Sequence, residues 1–268
     1  MQRIDGYKMR ICKFTRLILS ISLLLSFLNS SPALSRKEKP RERINSILRH
    51  IDDLWRGDSS YAVFKVQVKT AHYTRTMKMK GWSKGKDKSL VRITAPLKEK
   101  GTATLRSGNN IYTYLPRTDR TIRLTSGMMM GSWMGSHFTN DDLVKESRLE
   151  DDYYADISFE GIRNNRNIIE ITLTPKPYAA VVWGKVALTL LADGYIQLTE
   201  IFYDEDMTIS RTFTFTWLKQ IAGALRPTVM RVIPADRPEE FTELVYEELK
   251  FNIKIKDGFF SISNLKRR

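Results

Sequence analysis

Cysteine is almost absent from this chain. Its 268 residues include one, Cys12. A disulfide framework within one chain is therefore excluded, and so is a zinc site built on thiolates. Histidine is scarce as well: His50, His72 and His137 are the three, and no two stand at the His-x-x-x-His spacing that puts two imidazoles on one helix face. There is no Gly-x-Ser-x-Gly elbow and no glycine loop to cradle a phosphate. The acid pairs Asp141-Asp142, Asp151-Asp152 and Glu239-Glu240 are adjacent. On a strand their carboxylates would point to opposite faces, so they read as solvated caps and turns. The expectation is a protein that is not an enzyme and has no catalytic residue, metal or cofactor. With 9 Pro and 14 Gly, collagen-like and low-complexity chains are excluded too.

Long apolar runs are also missing. The run Leu17–Leu28 is uncharged and about a dozen residues long, short of the ~20 that span a bilayer. Arg3, Lys8, Arg10, Lys13 and Arg16 precede it against Asp5 alone, and Ala33-Leu34-Ser35 offers a small-x-small exit. A positive start, a short apolar core and small residues at a cleavage site are the parts of a secretory signal. Residues 1–35 are therefore expected to be a signal peptide, leaving residues 36–268 as one soluble domain without cysteine.

What the chain has in excess is positive charge. Lys+Arg number 44 against 30 Asp+Glu, a formal +14. Such charge could suggest nucleic acid, but export argues against it. Anionic headgroups, the envelope surface or an acidic partner fit better. Lys65, Lys69, Lys78, Lys80, Lys250, Lys254, Lys256 and the run Lys266-Arg267-Arg268 read either as a solvated exterior or as a docking face.

The hydrophobic pattern has two periods. Ile44, Ile47, Leu48, Ile51, Leu54 and Trp55 recur at helical spacing up to Gly57, which predicts one amphipathic helix. Beyond it the period is two. Phe64, Val66 and Val68 alternate with Lys65, Gln67 and Lys69; Met77 and Met79 with Lys78 and Lys80; Val91 and Ile93 with Arg92 and Thr94; Ala103 and Leu105 with Thr104 and Arg106. Further strand signals run to Phe241–Lys256, and turn residues such as Asn164-Asn165 and Asp193-Gly194 separate them. The stretch 126–138 breaks the pattern with Met128, Met129, Met130, Trp133, Met134 and Phe138 among Gly127, Gly131 and Gly135. It reads either as a mobile lid with glycine hinges or as a core loop that methionine fills. Thr139 or Asn140 then looks like the N-cap of a helix.

A mostly β chain (α+β) with one apolar face per strand must bury that face. The expected fold is an unclosed antiparallel β-barrel of about ten or eleven strands, with helices as plug or lid over a hydrophobic cavity. Strand alternation and the lid argument nominate Phe64, Val66, Met77, Met79, Val91, Ile93, Leu105, Met128, Met129, Met130, Trp133, Met134 and Phe138 as the residues that hold a lipid.

Several segments in order carry a family resemblance: Met77-Lys-Met-Lys-Gly-Trp82, Arg92-Ile-Thr-Ala-Pro96, Gly101-Thr-Ala-Thr-Leu105, Asn110-Ile-Tyr-Thr-Tyr-Leu-Pro116, Gly131-Ser-Trp-Met-Gly-Ser-His-Phe-Thr-Asn-Asp-Asp-Leu143 and Asp151-Asp-Tyr-Tyr154. The chain resembles the LolA-like outer-membrane lipoprotein-sorting proteins over most of residues 36–268. That resemblance implies a periplasmic, cofactor-free binder whose half-barrel shields acyl chains. It implies lipid or lipoprotein acyl chains as ligand, an inner-membrane transporter or exporter as partner, no nucleic acid, and a monomer. No residue here is matched to that family's lid-locking arginine. The leading expectation is a carrier of lipid or lipoprotein acyl chains on the way to the outer membrane. The alternative is a non-catalytic accessory subunit of an RND-type exporter with no ligand of its own.

Overall fold

In the computed structural model, residues 40–55, 57–143, 149–179 and 181–267 are described. The expected signal peptide, residues 1–35, lies outside them. Pro40–Arg268 form one compact unit, and among the described residues no helix is long and apolar enough to cross a membrane.

The helix predicted from Ile44 onward is α1, Pro40–Leu54. Its buried stripe is Ile44, Ile47, Leu48, Ile51 and Leu54, the i, i+3, i+4, i+7 pattern of a helix lying on a core. Its polar side reaches two neighbours: Arg43 donates to Glu160 and Arg49 to Glu150.

The strands are β1 (Ser59–Lys69), β2 (Thr74–Lys84), β3 (Lys88–Ala95), β4 (Ala103–Ser107), β5 (Asn110–Leu115), β6 (Arg120–Leu124), β7 (Tyr153–Arg163), β8 (Arg166–Pro175), β9 (Lys185–Leu191), β10 (Ile196–Tyr203), β11 (Ile209–Ile221), β12 (Ala224–Pro234) and β13 (Phe241–Phe251). They form one antiparallel sheet in the order β6-β5-β4-β3-β2-β1-β13-β12-β11-β10-β9-β8-β7. Two meanders, β1–β6 and β7–β13, are thus joined through the β1–β13 ladder. The edges β6 and β7 do not pair, so the barrel stays open, as expected for the class. Thirteen strands stand where about ten or eleven were expected.

The last strand is shorter than its alternation suggested. It stops at Phe251, since Asn252 takes φ of 55°, the left-handed conformation that asparagine tolerates. The chain then turns back. A short helix α3, Ile262–Leu265, brings Phe260 and Leu265 against Leu90, Ala103, Leu105 and Tyr114. Arg92 Nη2 fastens this segment by donating to the Asn264 carbonyl at 2.5 Å. Strands β3 and β4 therefore bury both faces, whereas the sequence pattern gave them one apolar face each. Leu105 in particular belongs to this second cluster.

Candidate functional site

The main core cluster lies between α1 and the sheet, and borders an open cavity of about 480 Å³. That volume falls within the roughly 300–1,000 Å³ typical of ligand pockets. Both meanders contribute walls. Phe64 and Val91 come from the first; Phe202, Phe213, Phe215 and Tyr246 come from the second. The inward residues on β11 include Phe213 and Phe215, and Thr212 and Thr214 alternate with them on the other face, as strand alternation requires. Trp55 stacks on Tyr246 at 5.3 Å and its Nε1 donates to Gln197. Burial pushes the Tyr246 hydroxyl up to about 12, so it stays neutral at physiological pH.

The roof of the cavity is the connection between the free edges β6 and β7. It contains single 3₁₀ turns at Ser126–Met128, Trp133–Gly135 and Asp141–Leu143 and a short helix α2, Leu149–Asp152. The segment folds on itself: Asn140 N–H donates to Gly131 O, Asp141 N–H to Met129 O and Trp133 N–H to Phe138 O. A side chain at Gly131 would sit 3.0 Å from Met128 O, so this glycine serves close backbone approach as well as any hinge. Thr139 and Asp142 cap each other, Thr139 N–H donating to Oδ2 and Asp142 N–H to Oγ1. The helix expected after Thr139 is a single 3₁₀ turn; residues 144–148 lie outside the described residues.

This lid is fastened by polar ties to the barrel wall. Arg211 on β11 makes a two-point ion pair with Asp142 at 2.8 and 2.7 Å. Its guanidinium lies over the rings of Trp183, Phe202 and Phe213 at 4.6–5.0 Å. Arg75 on β2 donates to the Met134 carbonyl. Trp133 Nε1 donates to Thr104 Oγ1 at 3.1 Å. His137 hydrogen-bonds to Thr242 through Nδ1 and to Glu240 through Nε2. The Ala71 amide and this histidine hold the Glu240 carboxyl below its ordinary value. Thr242, His137 and Glu240 have the side chains of a nucleophile–base–acid chain, but Thr242 is fully buried, and its Oγ1 also accepts the His137 amide. The set holds the lid. Among the described residues no group of three His, Cys, Asp or Glu side chains could hold a metal ion.

The nominated residues separate into four groups. Phe64, Val91, Trp133 and Phe138 line the cavity. Val66, Met77, Met79 and Ile93 are fully buried in the main cluster behind it. Leu105 faces the opposite side of the sheet, as described, and Thr104 takes the lid side in its place. None of the four methionines of the lid lines this cavity. Met128 and Met134 line a second cavity of about 720 Å³ on the other side of the lid, together with Trp133 and Ile93. Met130 borders a third of about 710 Å³, and Met129 lines none of them. The reason is that the two aromatic residues of the lid take the inward positions. The α1 stripe already contained Ile51, and the alternation of Phe213 and Phe215 with Thr212, Thr214 and Thr216 is visible in the sequence, but which strands would face each other was settled only by closure through β13.

An open antiparallel half-barrel, an amphipathic helix and a fastened lid over an apolar cavity define a LolA-like fold. Solved structures share it. A DUF1329 family protein from Desulfovibrio piger superposes with a TM-score of 0.76 at 21% identity, covering 85% of this chain and 99% of its own. A putative outer membrane lipoprotein-sorting protein domain from Vibrio parahaemolyticus gives 0.71 at 24%, covering 83% and 97%. A LolA superfamily protein from Nitrosomonas europaea gives 0.68 at 22%, covering 82% and 98%. Among curated proteins nothing matches. A family model described as "Uncharacterized protein" matches residues 85–267, and the chain belongs to that family.

Proposed function

We propose that this protein is a periplasmic carrier or binder of lipid or lipoprotein acyl chains, exported by a signal at residues 1–35 and working without a catalytic group or cofactor. The observation that carries the reading is the aromatic and aliphatic cavity under the lid. Each buried methylene contributes about 0.8 kcal/mol, so a long acyl chain gains affinity from burial alone. Loading requires the lid to swing away from the wall, which breaks the Arg211–Asp142 pair and the Arg75 tie; closure restores them. The likeness to a lipoprotein-sorting domain supports the same reading.

The test is native mass spectrometry of protein harvested from the periplasm, followed by titration with a fluorescent fatty acid. The expected result is an adduct of acyl-chain mass, and probe uptake that falls about tenfold or more in Trp133→Ala, a lining change, while Met130→Ser leaves it unchanged. A bare mass with no probe uptake overturns the carrier reading in favour of an exporter subunit without its own ligand.

A further inference from the structure

The β11–β12 hairpin extends past the sheet. Pairing of β11 with β10 ends at Thr214, and pairing of β12 with β13 begins at Val229. Between these points β11 and β12 pair only with each other, through Leu218–Pro227, Lys219–Arg226 and Gln220–Leu225. The result is a two-stranded ribbon at the end of the barrel where α1 finishes. Its underside is anchored. Arg226 is buried, donates through Nε to Leu54 O at 2.6 Å and through Nη1 to the carbonyls of Ile221 and Ala222, and lies over the Phe251 ring. Ile221 and Ala222 pack against the main cluster.

Its other side is unusual for a soluble hairpin. Leu218 and Leu225 share one face by register and are both exposed. Trp217 is 72% exposed and has φ of 57°, a conformation that costs a bulky residue free energy. The Thr228 hydroxyl donates to its carbonyl at 2.8 Å and holds it there. Lys219 is exposed as well, on the face that register gives to Arg226. No acidic residue occurs between Asp206 and Asp236.

We propose that this ribbon is a membrane-docking element that dips Trp217, Leu218 and Leu225 into the interfacial layer of an anionic bilayer. Tryptophan with an apolar body and a polar N–H suits the headgroup boundary, and an acid-free, basic ribbon complements anionic lipid. Three apolar side chains on a narrow ribbon fall short of the ~800 Å² per partner that a stable protein interface buries, whereas insertion in a bilayer needs no minimum patch. The anchor through Arg226 and Leu54 places the docked end beside the cavity wall formed by Trp55 and Tyr246. The proposal does not depend on what the cavity holds.

Flotation with phosphatidylcholine vesicles, with and without a minority of phosphatidylglycerol, tests it on protein harvested from the periplasm. The parent is expected to float with the anionic vesicles, more at low salt than at high salt. The triple variant Trp217→Ser, Leu218→Ser, Leu225→Ser should partition roughly tenfold or more weakly with an unchanged thermal midpoint. Lys219→Glu, a charge reversal at an exposed side chain, should weaken the preference for anionic vesicles with an unchanged thermal midpoint. Brominated lipid should quench fluorescence in the parent, and less in Trp217→Phe. The proposal is overturned if parent and triple variant float equally, if the parent floats with neither vesicle, or if the triple change instead dissolves a self-association seen by sedimentation.

Discussion

Arg211 shows how one side chain can carry a conformational state. Its side chain is 6% exposed, and its charge is balanced by Asp142 on the lid. Removing one member of such a pair strands the other in a poorly hydrated site. Asp142→Ala is expected to lower the unfolding free energy by about 3 kcal/mol in urea titrations. In the same variant the amides of Ser136 and Asn140, which bond to Trp133 O and Gly131 O within the lid, should exchange faster by hydrogen exchange. Glu240 makes a second residue-scale test. A carboxylate with a folded-state pKa below its ordinary 4.5 adds stability that is fully present above that value. The contribution fades as pH falls through the folded-state pKa. Stability of the parent should therefore decline below pH 4.5, and Glu240→Gln should make that decline shallower in denaturant midpoints taken down the pH scale. Neither tie was legible in sequence. Asp142 read as a solvated cap, which it is in part through Thr139, and no arginine spacing pointed to Arg211, since the two residues meet only when β11 faces the lid.

At the scale of elements, periodicity did most of the work. The α1 stripe was legible because five apolar residues recur at 3.6-residue spacing, and Ile47 on it is fully buried. Ile47→Ala should cost roughly 2–5 kcal/mol, read as a shift in urea midpoint. Arg43→Ala, which breaks a half-exposed pair with Glu160, should cost less than about 1 kcal/mol. Strand alternation located β1 and β2 with Phe64, Val66, Met77 and Met79 buried. It failed on β4, where Ala103 and Leu105 are as apolar as any cavity wall but face the C-terminal segment. A period of two says which residues share a face and not which face is inside. The methionine-rich stretch was recognisable as a break in pattern, yet composition could not say that Trp133 and Phe138 point in while Met128 and Met130 point out.

For the whole molecule, the determining contact is β1 against β13, which joins two local meanders into one curled sheet around α1. The cavity exists because this closure sets Phe64 on β1 near Phe213 and Phe215, about a hundred and fifty residues away along the chain. A ligand that enters only the folded cavity should stabilise the molecule by about 2.7 kcal/mol at a hundred times its Kd. The thermal midpoint should then rise with the concentration of an acyl probe and stay flat in a variant that has lost probe uptake. By itself the sequence determined the mostly β class, the helix, the inward parity of several strands and the excess of positive charge, because these follow from local periods and composition. The tertiary structure alone decided which apolar faces enclose the cavity and which lie under the C-terminal segment. It also decided where the lid is tied and that the β11–β12 ribbon stands clear of the sheet. Each of these depends on pairings between residues far apart in the chain, and hydrophobicity that is blind to direction cannot specify them.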